Sequence, residues 1–404
     1  MIVPVPDGSP FPIENLPFGV FDRGDGARIG VALGDHVVDL RAASEAGKVP
    51  TGSAAALRAP DLNDYLELGR GPWQETRAAI VDLVGGEDSG ATSVHGIDDV
   101  SMRLPFRSGD YVDFYSSIEH ATNLGRMFRP DGDPLLPNWR HLPVGYHGRA
   151  STIVVSGTPI RRPSGQRSTD DGPVFGPADA LDFELEVGFV TGPGNELGVP
   201  IDVDDVGDHV FGLVLVNDWS ARDIQRWEYV PLGPFLGKSF ATTISPWVVT
   251  LDALAPYMVP SPPQTPEPLP HLRAAGDWGV AIDLEVALSS ERMRRDGMAP
   301  EVVSRTSFAT MYWTMAQQVA HLTSNGTAIR PGDLCASGTV SGDEPGTYGS
   351  LVELTWGGRD PIELPDGTER RFLLDGDEVV LGGVCGGEGL PTIGFGSCRG
   401  TILP

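Results

Sequence analysis

The chain has 404 residues, with 29 Lys+Arg against 55 Asp+Glu and a formal net charge of -26. A surface this acidic argues against nucleic acid and anionic membranes as partners, since both need clustered basic groups to displace counterions. With 40% apolar and 21% charged residues the composition is that of a folded globular protein, and the length suggests two domains.

Gly 52 and Pro 36 together make 88 residues, about 22% of the chain against roughly 12% in average proteins. No repeat period accompanies them, so the excess predicts many turns and a β-rich fold. Cys335, Cys385 and Cys398 are odd in number and far apart. That pattern suits a reducing compartment better than a disulfide framework or a zinc site. No signal-peptide pattern and no run of 18 apolar residues appears, and a soluble cytoplasmic protein is expected. Asn325-Gly326-Thr327 matches a glycosylation sequon, and without secretion it reads as a turn.

Residues 1–105 open with two short strands, Ile29 to Leu33 and His36 to Leu40. A helix follows in which Trp73, Ile80 and Val84 share a face after Pro72. This segment reads as a small β domain with a helical appendage and no reactive cluster. Residues 106–404 form the second domain. Glu184 to Val190 and Val280 to Val286 alternate as strands, and Asp375-Gly376-Asp377 predicts a hairpin between Phe372–Leu374 and Glu378–Leu381. Helical spacing joins Phe308, Met311, Met315, Val319 and Leu322, while seven prolines between Pro256 and Pro270 predict a surface excursion.

Glu184 and Glu186 lie two apart in a predicted strand, so both carboxylates share a face. Like charges that close need a compensating cation, and a hard divalent ion with oxygen ligands is one answer. The plainer alternative is a solvated edge strand. Asp218 ends the apolar run Phe211 to Val216, at the rim of a core, and Asp110 and Asp113 flank Tyr111. Each could equally be a turn or capping aspartate. His120 is a candidate general base, with His141 and His147 competing for the role. Arg222, Arg226 and Lys238 bracket an aromatic, Pro- and Gly-rich loop after Asp218, and would either stabilise an oxyanion or pair with surplus acids. No G-x-S-x-G, H-E-x-x-H or P-loop motif is present.

Four long motifs carry a resemblance. They are Asp110 to Ser117, Leu142 to Ser151, Asn217 through Pro231 to Ser239, and Arg330 to Leu334 with Ala336 to Thr339. Together they resemble the fumarylacetoacetate hydrolase family. The Trp219 to Lys238 stretch is similar to its fumarylacetoacetase branch rather than to the broader superfamily. The likeness runs from about 108 to 250 and from about 305 to the C-terminus.

The resemblance implies a mainly β (α+β) fold, with a small SH3-like N-terminal barrel and a large C-terminal mixed β-sandwich roll, assembled as a homodimer. It implies Ca2+ at Asp113, Glu184, Glu186 and Asp218, with Mg2+ nearby through Lys238 and Thr242. His120 would be the general base, oriented by Glu353. Arg222, Gln225 and Lys238 would face the oxyanion, and Tyr115, Arg129, Tyr146, Tyr229 and Thr339 would hold the substrate. Val112 and the segment Leu390-Pro391-Thr392, before a turn at Gly394-Phe395-Gly396, depart from the family pattern. The implied reaction cleaves a carbon–carbon bond of fumarylacetoacetate to fumarate and acetoacetate, in tyrosine and phenylalanine breakdown. A related acylpyruvate hydrolase, a metal-dependent decarboxylase and a catalytically silent calcium-binding β protein are the rival readings.

Overall fold

The structure, a computed structural model, describes residues 2–86 and 92–404. The fold is mainly sheet with short helices, an α+β arrangement. Among the described residues thirteen strands join one large sheet. Its central strand, Val210–Asp218, is buried along its whole length. Leu213 and Leu215 face one apolar cluster, and Val214 and Val216 face another. A strand covered on both sides reads as an unbroken apolar run, which is why Phe211 to Val216 carries no polar residue.

Leu185–Thr191 lies antiparallel beside it, with Leu185 opposite Asn217 and Glu186 opposite Val216. Leu334–Ala336 follows, and then Tyr111–Phe114, parallel to it with Ala336 opposite Asp113. On the other side Thr242–Ile244 and Trp247–Thr250 pair with the central strand. A second sheet of five strands, running from Glu301–Ser307 to Ile160–Arg161, packs over Val210–Asp218 through Glu378–Gly387 and Leu390–Leu403.

The N-terminal strands Phe18–Asp22, Ala27–Leu33, His36–Asp39 and Val94–Gly96 extend this same large sheet, joined where Phe18 lies opposite Val248. Their packing is shared too. Phe211 of the central strand meets the rings of Phe18, Tyr65 and Trp73, at centroid distances of 5.4, 5.7 and 5.0 Å. Trp73, Ile80 and Val84 are buried on one face of the helix Arg70–Gly85, as their spacing predicts.

Several local expectations are corrected. The segment Phe372–Leu374 is not a strand. A turn does form at Gly376, but Glu378–Gly387 pairs with Asp283–Ser289 and Leu390–Leu403 instead. The run from Val280 breaks at Ala281–Ile282, where the Ile282 amide donates back to the Val280 carbonyl at 2.9 Å, so Gly279–Val280 and Asp283–Ser289 are separate strands. The helix expected from Phe308 begins only at Met315. Thr314 and Gln317 close a capping box there, and Phe308–Thr310 is a single tight turn. Gly394 to Gly396 lies inside the strand Leu390–Leu403, where positive φ at Gly396 accompanies irregular register. His36–Asp39 stops one residue early because Asp39 caps the next helix, accepting from the Ala42 amide.

Replacing Phe211 by Ala removes the ring on which three N-terminal aromatics converge. The expected cost is about 3–5 kcal/mol, read as a lowered melting temperature with earlier proteolytic cleavage within residues 2–105.

Candidate active site

Parity along the strands decides which side chains meet. Asp113 shares a face with Tyr111, Glu184 and Glu186 share one with Gly188, and Asp218 shares one with Val214 and Val216. All four carboxylates therefore point to the same side of the sheet, at the end where the strands stop. Leu334–Ala336 is short and the chain turns away at Gly338, where φ is +78° and an added Cβ would lie 2.2 Å from the Phe114 carbonyl oxygen. That turn opens the space the carboxylates occupy and aims the Gly338 amide at Glu186 Oε2, 3.2 Å away. Ligand atoms of Asp113, Glu184, Glu186 and Asp218 lie within 4.8 Å of one another, and all four residues are buried.

Two cations reach this cluster. Lys238 Nζ donates to Glu184 and, at 2.6 Å, to Asp218 Oδ2. Arg222 Nη2 donates to Glu184 Oε1 at 2.7 Å. Burial opposes the charge of Glu184, but Lys238 and Arg222 outweigh it and hold this carboxyl below its ordinary range. For Asp113 and Glu186 the attraction of Lys238 is too weak to prevail. Burial first, and then the neighbouring carboxylates, push both well above the ordinary range. Asp113 Oδ1 and Glu186 Oε1 are buried without a hydrogen-bond partner. Orphaned, mutually repelling oxygens on a four-carboxylate wall are the donor set of a hard divalent cation, so the residues fit one.

His120 sits on the helix Ile118–Phe128, begun by Ser117, whose side chain accepts from the His120 amide. Its Nδ1 lies 2.7 Å from Glu353 Oε2, and its Nε2 is 4.0 Å from Glu184 Oε1. Glu353 also accepts from Asn123 Nδ2, Ser341 Oγ and Ser350 Oγ, at 3.0, 2.9 and 2.7 Å. Burial works against its charge, yet His120, Ser350 and Asn123 hold its pKa below the usual value. An ionised carboxylate only accepts, so Nδ1 carries the imidazole proton and the Nε2 lone pair faces the carboxylate cluster. The structure thus separates three histidines that sequence left in competition, for His141 and His147 are exposed.

Tyr115 packs edge-on against the His120 ring at 5.3 Å. Tyr146 Oη lies 3.4 Å from Asp218 Oδ2, and Thr242 Oγ1 donates to Asp218 Oδ1 at 3.2 Å. Gln225 Oε1 accepts from Arg222 Nη1 at 3.3 Å, and Thr339 is buried next to Gly338. Other candidates stand apart. Arg129 is exposed, its guanidinium on the Pro134 carbonyl, and Tyr229 is exposed at the end of the helix Arg222–Glu228. Arg226 lies over the Phe128 ring, and Asp110 is exposed. Sequence reasoning passed over Asp182, Asn123, Ser341 and Ser350. A signal existed for Asp182, two residues before Glu184 and so on the same strand parity.

Residues 111–403 match the family described as fumarylacetoacetate (FAA) hydrolase C-terminal, and residues 14–105 match fumarylacetoacetase N-terminal. The chain belongs to the fumarylacetoacetate hydrolase family. Within the family it is 51% identical over 416 residues to the fumarylacetoacetase of Homo sapiens, covering 100% of this chain and 98% of that one. It is 49% identical over 417 residues to the fumarylacetoacetase of Arabidopsis thaliana, with the same coverage. Among solved structures, the fumarylacetoacetate hydrolase of Exiguobacterium antarcticum shares the fold at a TM-score of 0.55 and 16% identity, over 96% of this chain and 99% of that one.

Adding millimolar Ca2+ or Mg2+ to chelator-treated protein is expected to raise the melting temperature, because a ligand bound by the native state alone stabilises it. Glu186→Gln, which keeps shape and removes charge, should abolish most of that rise. An equal rise in the variant would mean the ion binds elsewhere.

Proposed function

We propose that the chain hydrolyses the carbon–carbon bond of 4-fumarylacetoacetate to give fumarate and acetoacetate. The observation that carries this reading is the His120–Glu353 pair beside the four-carboxylate cluster, in a chain about half identical to curated fumarylacetoacetases along its full length.

In this reading Glu353 fixes the His120 tautomer, and Nε2 takes a proton from water as the oxygen adds to the carbonyl carbon. The tetrahedral oxyanion forms against Arg222, Gln225 and Lys238. Lys238 is suited to the task, because Asp218 and Glu184 outweigh its burial and raise its pKa above the ordinary value, keeping it an ammonium. The bond to the acetoacetate carbon then breaks, and the departing carbon takes the proton held on His120. Ca2+ at Asp113, Glu184, Glu186 and Asp218, with Mg2+ beside it, would supply Lewis acidity toward the diketone oxygens. An ammonium has no lone pair, so Lys238 would serve Mg2+ through its carbonyl, alongside Thr242. Tyr115, Tyr146 and Thr339 border this space. Arg129 and Tyr229 would have to swing in from exposed positions to reach the carboxylates of a dianionic substrate.

The proposal extends to a small SH3-like unit over residues 1–105 and a catalytic β-sandwich roll over 106–404, a division supported by the separate family matches. A homodimer in the cytoplasm completes it. Three buried thiols, none in a disulfide, agree with a reducing compartment, and among the described residues no helix is long and apolar enough to cross a membrane.

The test is loss of the diketone ultraviolet absorbance on incubation with fumarylacetoacetate. Turnover should fall on chelation, and His120→Ala should lower kcat by at least ~100-fold without lowering the melting temperature by more than a few degrees. Near-normal turnover in His120→Ala removes it from the role of base.

A further inference from the structure

Arg222 and the His120–Glu353 pair both approach Glu184 Oε1, and one buried side chain ties down Arg222 and the turn that carries Glu353. Asp182 is fully buried and lies outside the set of carboxylates able to share a cation. Its Oδ2 accepts from Arg222 Nε at 2.8 Å and from the Val352 amide at 3.1 Å. Its Oδ1 accepts from the Leu351 amide at 2.7 Å and from the Phe183 amide at 2.8 Å. Leu351 and Val352 open the short helix Leu351–Leu354, whose third residue is Glu353.

The backbone around Asp182 reinforces the junction. Asp182 pairs with Ser220, and the Arg222 amide donates to the Ala180 carbonyl at 2.9 Å. Toward Glu353, Glu184 bridges to Ser350, and the Leu185 amide donates to the Gly349 carbonyl at 2.8 Å. With both oxygens doubly occupied, Asp182 has no acceptor capacity left for substrate.

We propose that Asp182 is a positioning residue, which sets the Arg222 guanidinium against Glu184 and holds the turn that aims Glu353 at His120. This rests on the hydrolytic reading above. A group orienting two reacting side chains acts on kcat rather than on substrate affinity, since a small misplacement weakens contacts made in the transition state.

Asp182→Asn puts an amide donor where either Arg222 Nε or the backbone amides must donate, while preserving volume. In the full chain with its cations, the expected result is a kcat lowered about 10–100-fold with KM changed less than about threefold, and an unchanged near-ultraviolet circular dichroism spectrum. A folded Asp182→Asn with kcat within twofold of the parent, or one losing only KM, overturns the proposal. If the parent itself does not turn over fumarylacetoacetate, the functional reading fails instead.

The second measurement needs neither activity nor a change at Asp182. Arg222→Lys cannot keep both the Asp182 and Glu184 contacts. Hydrogen exchange of the segment 349–355 should then quicken about tenfold or more, with the helix Met315–Thr323 unaffected. Unchanged exchange at 349–355 shows that Arg222 and this turn are not joined through Asp182, and overturns the proposal even if Asp182→Asn does not fold.

Discussion

Four carboxylates forced onto one face at one end of a sheet are the constraint from which the rest of the site follows. Their proximity follows from strand parity and register. Asp113, Glu184, Glu186 and Asp218 cannot separate unless Tyr111–Phe114, Leu185–Thr191 and Val210–Asp218 change partners. Repulsion among buried like charges is unfavourable by several kcal/mol unless opposed, and the chain opposes it in two ways. Lys238 and Arg222 take both oxygens of Glu184, and the orphaned oxygens of Asp113 and Glu186 remain for a divalent ion.

The acidity of the whole chain has little bearing on this. A net charge of -26 would repel a dianionic substrate at long range, but the relevant field is local and largely shielded from solvent salt. At the carboxylate cluster Arg222 and Lys238 set that local field, both buried and paired with Glu184. Hydrogen bonds to Glu353 shape the neighbouring His120. Four donors favour its ionised form against burial, and an ionised acceptor fixes which nitrogen of His120 is basic.

Much of the site was legible in the sequence, for reasons that differ residue by residue. Glu184 and Glu186 were readable because a period of two needs no knowledge of the fold, and Asp218 because an apolar run ended on a charge. Asp113 was a local candidate beside Tyr111 but no better marked than Asp110, and Glu353 was readable only through the family resemblance, since nothing local marks a carboxylate that finds its partner hundreds of positions away. The misplaced hairpin at Asp375–Asp377 and the helix begun too early at Phe308 failed for a common reason. Local patterns there were satisfied by a turn, while long-range pairing of Glu378–Gly387 and the capping box at Thr314 set the true boundaries. Asp182 shared the parity of Glu184 and Glu186, but its partners Arg222, Leu351 and Val352 lie 40 to 170 positions away, and only the fold shows what it holds.

The central strand has a further consequence. Phe211 stands near one end, locked among N-terminal aromatics, and Asp218 is the last residue at the other. Seven steps of extended chain, ~23 Å, separate the ring from the carboxylate, with no loop between them to absorb a displacement. The N-terminal aromatics are therefore joined to the carboxylate wall by one continuous strand, so that a displacement of the former is carried to the latter along the backbone itself.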